Sequence, residues 1–108
     1  MAKTITAEEL KQKMEKGEKF TLIEVLSPEE YMDKHLPRAI NIPADSISEQ
    51  IKQRFRPDQE LIVYCASKEC NASPNAAKKL EEMGFKNVID FEAGKKGWEN
   101  AGYEFETD

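Results

Sequence analysis

A parallel α/β sheet packed between helices is the fold class the sequence predicts, as a single domain over residues 1–108. Three observations predict it. Short apolar runs of strand type alternate with segments that carry helix-start chemistry, an order that builds parallel sheets through helical crossovers. Leu61, Ile62, Val63 and Tyr64 are apolar in succession, as in a central strand covered on both faces. At 108 residues the chain is long enough for one sheet with its helices and too short for two independent cores.

The elements follow in order. Thr6 and Glu9 form a capping box, in which hydroxyl and carboxylate each satisfy a backbone donor of the first helical turn. Leu10 and Met14 supply that helix's buried face, and Gly17 marks its end. Residues 20–25 read as a strand, and Ser27 with Glu30 caps the next helix. Residues 39–42 form a second strand. Ser46 with Glu49 predicts a third helix, with Ile47, Ile51 and Phe55 on one face. Pro57 and Asp58 turn the chain into the strand at 61–65. Ser73 followed by Pro74 predicts the start of a fourth helix, because proline in the first turn lacks only an N–H that would be unpaired. Its apolar face is Ala76, Ala77, Leu80 and Met83; Gly84 then leads to a strand at 88–91. The tail after Gly102 reads as irregular, with Tyr103 and Phe105 packing back onto the core. There is no internal repeat or low-complexity linker.

A formal charge of -5 and a pI near 5.0 disfavour nucleic acid and anionic membranes as partners. No apolar run approaches the roughly 20 residues of a membrane span, and the N-terminus lacks a secretory pattern, so a cytoplasmic monomer is the expectation. Cys65 and Cys70 are the two cysteines. Five residues close too small a loop to brace a fold, so a structural disulfide is the weaker reading and sulfur or redox chemistry the stronger. His35 stands far from either cysteine in sequence, so neither metal nor cofactor is expected.

Cys65 ends the central strand, where open α/β sheets bind ligands. Behind it come eight mostly small or polar residues: Ala66, Ser67, Lys68, Glu69, Cys70, Asn71, Ala72 and Ser73. Such a loop can curl with backbone N–H groups inward and, with the positive end of the following helix, favour an anion and a thiolate. A strand-end cysteine is often only a small apolar residue. The length and polarity of the loop favour a nucleophile.

Two sets of motifs carry a resemblance: Ile5-Thr6, Glu8-Glu9-Leu10, Leu22 to Val25, Glu30-Tyr31 and His35 to Pro43 in the first half, then Val63-Tyr64-Cys65, Ala76 through Val88, and Glu92-Ala93-Gly94-Lys95-Lys96-Gly97-Trp98 with Ala101-Gly102-Tyr103 in the second. In this order they are similar to the N-terminal and C-terminal halves of the rhodanese-like family, which the chain resembles over nearly its whole length. The resemblance implies a three-layer domain with a mainly parallel five-stranded sheet flanked by helices. It also implies that Cys65 accepts a sulfane sulfur from thiosulfate or a persulfide and passes it to cyanide or to a thiol acceptor, a protein included. The loop residues Ala66, Ser67, Lys68, Glu69, Asn71, Ala72 and Ser73 would bind substrate.

The chain departs from the family pattern at several positions. Cys70 stands where the family often has an arginine, and Lys68 is the only cation in the loop. The loop reads as about two residues longer than usual. Glu24 and Leu26 replace the usual aspartate and arginine on either side of a valine, here Val25; Lys34 and Arg38 replace glycines around His35. Cys70 reads either as a second thiol that attacks or relays the sulfur, or as a loop residue pointing away. His35 and Trp98 are expected to serve structure, and Lys95 and Lys96 to be solvated surface lysines. The alternative functions are a non-catalytic interaction module and a cysteine-dependent phosphatase or arsenate reductase. The missing arginine counts against the latter, because that chemistry needs a bidentate partner for the oxyanion.

Overall fold

The computed structural model describes residues 2–48 and 51–107. Its elements are β1 (Lys3–Thr4), α1 (Ala7–Glu15), β2 (Thr21–Glu24), α2 (Pro28–Asp33), β3 (Ala39–Asn41), a 3-10 turn (Ala44–Ser46), α3 (Ile51–Arg54), β4 (Glu60–Tyr64), α4 (Ala72–Glu82), β5 (Asn87–Phe91) and α5 (Gly94–Asn100). The strands form one five-stranded sheet in the order β1-β5-β4-β2-β3, with every pairing parallel. The edge strand β1 has no apolar signature. Lys3 and Thr4 are both exposed, and their place comes from pairing with Ile89 and Asp90.

Alternation along β4 divides the core into two layers. Leu61, Val63 and Cys65 face α3 and α4, among Ile23, Val25, Ile51, Ala76, Ala77 and Leu80. Ile62 and Tyr64 face α1 and α5, among Leu10, Leu22, Phe91 and Trp98. All five residues from Leu61 to Cys65 are buried, which explains their unbroken apolar character: neither face of this strand meets water. Tyr103 and Phe105 pack against the second cluster, as the sequence suggests. Among the described residues, no helix is long and apolar enough to cross a membrane.

The first two predicted capping boxes form. Glu9 N donates to Thr6 Oγ1 at 3.1 Å while Thr6 N donates to Glu9 Oε1 at 2.9 Å, and Ser27 and Glu30 repeat the arrangement. The other two helix starts are corrected. Ser46 closes the 3-10 turn, Ile47 is extended, and α3 begins at Ile51; the proposed partner Glu49 lies outside the described residues. Helix α4 begins ahead of its predicted start, with Asn71 at the cap, Ser73 second and Pro74 third in the helix. Pro74 fits because the early helical N–H groups have no carbonyl a turn behind them, and the first bond of the helix is Asn75 N to Asn71 O at 3.1 Å. Only residues 66–71 therefore separate Cys65 from the helix.

Candidate active site

Cys65 follows β4 and points into the α4 layer with its side chain fully buried. Between β2 and β4 the strand order reverses: the chain leaves β2 toward β3 on one side and leaves β4 toward β5 on the other. Loops diverging above such a point leave a crevice at the carboxyl ends of the strands. Cys65 Sγ lies 3.5 Å from Ser73 Oγ, in the first turn of α4, and 3.5 Å from the Cys70 carbonyl oxygen.

The loop folds back through a turn in which Cys70 N donates to Ser67 O at 3.1 Å. This return brings Cys70 against Cys65, and the two are joined as a disulfide with a Cα–Cα separation of 6.4 Å. Of the two readings of Cys70, the one in which it points away from Cys65 is corrected. A tight turn placed directly before a helix closes a span that sequence distance alone leaves open. Cys65, Cys70 and Ser73 thus converge. Lys68, Glu69 and Asn71 lie exposed around them, and Ala72 is half-buried in the helix start.

The other side of the loop is clamped by α5. Lys95 N donates to Cys65 O at 3.0 Å and Lys96 N to Ala66 O at 2.9 Å. Two otherwise unpaired N–H groups of a helix start thereby hold two carbonyls of the loop. Gly94 makes the approach possible. It has φ of +62°, and a Cβ there would overlap the Cys65 carbonyl oxygen and stand 2.9 Å from Ser67 N.

Beneath the clamp, on the face opposite the Cys65 side chain, Glu24 is fully buried. Tyr64 Oη donates to Glu24 Oε1 at 2.7 Å, and Lys95 Nζ sits 3.1 Å from Glu24 Oε2. Leu36 N donates to the tyrosine oxygen at 3.1 Å. Burial pushes the Glu24 carboxyl up from its ordinary value, with the hydrogen bonds from Tyr64 and Lys95 pulling against it. The Tyr64 phenol is pushed up by burial and by the adjacent carboxylate. The expectation of a solvated Lys95 is corrected: its side chain is 12% exposed and is spent on Glu24 and on the Glu30 carbonyl at 2.8 Å. A glutamate closing an otherwise apolar strand was the available signal for a buried cation. Lys96 is exposed, as expected.

Sequence reasoning missed Asp90. It is buried on β5, on the same sheet face as Cys65, and its carboxyl accepts a hydrogen bond from the Ser73 side chain. The serine hydroxyl thus stands between the sulfur and a carboxyl group. Asp90 also borders a cavity of about 430 Å³ with Thr4, Pro74, Ala77, Lys78 and Glu92. Burial pushes its carboxyl up, the Ser73 hydrogen bond opposes this, and Glu92 adds to it. A carboxyl raised on folding makes the native state lose relative stability as pH climbs from the unfolded value of 3.8 through the folded one. Asp90→Asn is therefore expected to unfold at higher denaturant than the parent protein at pH 7, with the advantage closing below pH 3.8. Equal midpoints at pH 7 would refute the assignment.

His35 and Trp98 serve packing. The His35 ring stacks on Tyr31 at 3.9 Å, its Nδ1 lies 3.0 Å from Tyr31 O, and its backbone pairs with Glu106 in the tail. Trp98 is fully buried, meets Phe91 edge-on, and donates from Nε1 to Glu104 O at 2.9 Å. Among the described residues, no group of three or more His, Cys, Asp or Glu could hold a metal ion.

Comparison with known proteins agrees with this architecture. The family profile described as "Rhodanese-like domain" matches residues 6–101. YtwF of Bacillus subtilis, provisionally named a sulfurtransferase, is 35% identical over 97 residues, covering 90% of this chain and 90% of its own. The HTH-type transcriptional regulator Rv0324 of Mycobacterium tuberculosis is 33% identical over 98 residues, covering 91% of this chain. This chain spans only 42% of Rv0324 and 49% of YrkF of Bacillus subtilis, provisionally named a sulfur carrier protein. Among solved structures, BH2092 from Bacillus halodurans superposes with a TM-score of 0.91 at 29% identity, covering 98% of this chain and 77% of its own. A rhodanese-like domain protein from Staphylococcus aureus gives 0.82 at 27% identity, with 98% of both chains covered. With a profile match across almost all of its length, a parallel five-stranded sheet between helices and a cysteine ending the central strand, the chain belongs to the rhodanese-like family.

Proposed function

We propose that the protein is a sulfurtransferase in which Cys65, in its reduced form, takes a sulfane sulfur as a persulfide and passes it to a thiol or to cyanide. The observation that carries this reading is the place of Cys65 Sγ: at the end of the central strand, 3.5 Å from a hydroxyl in the first turn of α4. A sulfur at the positive end of an 11-residue helix is favoured as thiolate, the nucleophilic form. The thiolate attacks the outer sulfur of RS–SH; the bond between the two donor sulfurs breaks, RS⁻ leaves, and Cys65–S–SH forms. An acceptor thiolate then attacks that terminal sulfur and releases the Cys65 thiolate. The family match and relatives named for sulfur transfer support the reaction class.

The loop after Cys65 holds no arginine to pair with a thiosulfate dianion. A shallow cavity of about 320 Å³ runs from Ala66 past Glu29, Glu30, Asp33, Lys34 and Lys95. Lys95 is committed to Glu24, so it does not supply that partner, and the other charges there are mainly negative. The test uses reduced Cys70→Ser protein, which keeps Cys65 as its sole thiol. Incubated with glutathione persulfide, it is expected to gain one sulfur atom by intact mass, which cyanide removes as thiocyanate. Cys65→Ser should gain none. Failure of Cys70→Ser to gain sulfur while Cys65 still reacts with an alkylating agent would sink the proposal.

A further inference from the structure

We propose that Cys65 and Cys70 form a reducing dithiol, giving the protein a second activity: reduction of sulfane sulfur to hydrogen sulfide. The proposal rests on the persulfide reading above and adds a second fate for the sulfur. Its basis is the geometry of the loop. The turn from Ser67 to Cys70 returns the second cysteine onto the first, and the two sulfurs are bonded across a Cα–Cα of 6.4 Å, within the ordinary span of a disulfide. A Cys65 persulfide therefore forms beside a thiol that is already within reach of its inner sulfur. An external acceptor must instead diffuse to the site once the first product has left. An intramolecular thiol has the advantage of effective concentration.

The step balances. After transfer, the Cys70 thiolate attacks Cys65 Sγ; the Sγ–Cys70 Sγ bond forms, the bond from Cys65 Sγ to the outer sulfur breaks, and HS⁻ leaves with the electron pair. The sum is RS–SH plus two thiols giving RSH, H₂S and the Cys65–Cys70 disulfide. The transferred sulfur is reduced and the two cysteine sulfurs are oxidised. The disulfide is reset by an external dithiol reductant. The exposure of the pair sets the direction of that attack: Cys70 is part-exposed while Cys65 has no exposed surface. A reductant attacks the reachable Cys70 sulfur and expels Cys65 as thiolate, the better leaving group at the start of α4. The close spacing argues for this cycle over a structural staple, because a crosslink spanning five residues removes little chain entropy.

The test uses full-length protein, reduced, freed of reductant without oxygen, and given one equivalent of glutathione persulfide. The wild type is expected to release close to one sulfide per chain and to end as the disulfide, two hydrogens lighter than the reduced protein and without added sulfur. Cys70→Ser should keep the sulfur atom and release sulfide at least about tenfold more slowly. Wild type that keeps the added sulfur with Cys70 still open to alkylation overturns the dithiol cycle and leaves the sulfurtransferase reading standing. Disulfide formed without an equivalent of sulfide also overturns it, marking the pair as an oxidative switch. Cys70→Ser that never gains sulfur overturns the persulfide reading itself.

Discussion

Lys95→Met is expected to cost about 3 kcal/mol of folding stability at neutral pH, because it leaves the Glu24 carboxylate buried without its cation. Glu24 has no exposed surface, and Lys95 Nζ at 3.1 Å is the one cation paired with it among the described contacts. The two sides of the pair are not equivalent. Lys95 retains the Glu30 carbonyl and some solvent when Glu24 is neutralised, so Glu24→Gln should cost clearly less. The double substitution should recover most of the loss, since no uncompensated charge is then buried. A chemical-denaturation cycle at pH 7 measures the coupling. The cost should shrink as pH falls toward 4.5, the ordinary value for this carboxyl: the folded-state pKa is raised further without lysine, so protonation relieves the native state first. Additive single effects with no pH dependence would show that the ion pair does not hold the clamp.

Gly94→Ala should be as damaging, and for a different reason. The left-handed backbone at φ +62° costs an L-residue about 1–2 kcal/mol. The added methyl also overlaps the Cys65 carbonyl and crowds Ser67 N, backbone atoms that cannot swing aside as a side-chain tip would. A total of about 3 kcal/mol or more is expected, with the loop forced off α5. Gly17→Ala is the control: its φ of +69° is similar, but nothing lies within 4 Å of the new methyl. Gly17→Ala should therefore show the backbone cost alone and leave persulfide formation unchanged, while Gly94→Ala slows it. Equal losses of stability in both variants would mean that the contact with the loop contributes nothing.

Much of the architecture was legible because it rests on local chemistry. The capping boxes at Thr6 and Ser27 join residues three apart, and the apolar run of β4 reports burial on both faces without naming the elements that cover it. The helix start near Ser73 was misplaced because two demands compete for that serine. Capping would hold its hydroxyl to the backbone, whereas in the fold it lies between Cys65 and Asp90, and Asn71 takes the cap position. Only packing against the β4 and β5 layer decides between them.

The sequence by itself determined a parallel α/β domain and singled out Cys65 as the candidate for its chemistry, since strand alternation and a cysteine at a strand end are written in residues adjacent along the chain. Tertiary structure alone decided the rest. It placed β1 beside β5 by hydrogen bonds that carry no apolar signal. It returned Cys70 onto Cys65, buried Lys95 against Glu24, and laid the backbone of Gly94 on the loop after Cys65. The return of Cys70 is closed by the local turn from Ser67, whereas the Lys95 and Gly94 contacts depend on crossover connections that bring distant segments together at the carboxyl end of the sheet. There, the cost of leaving a buried charge or carbonyl unpaired determines the contacts that form.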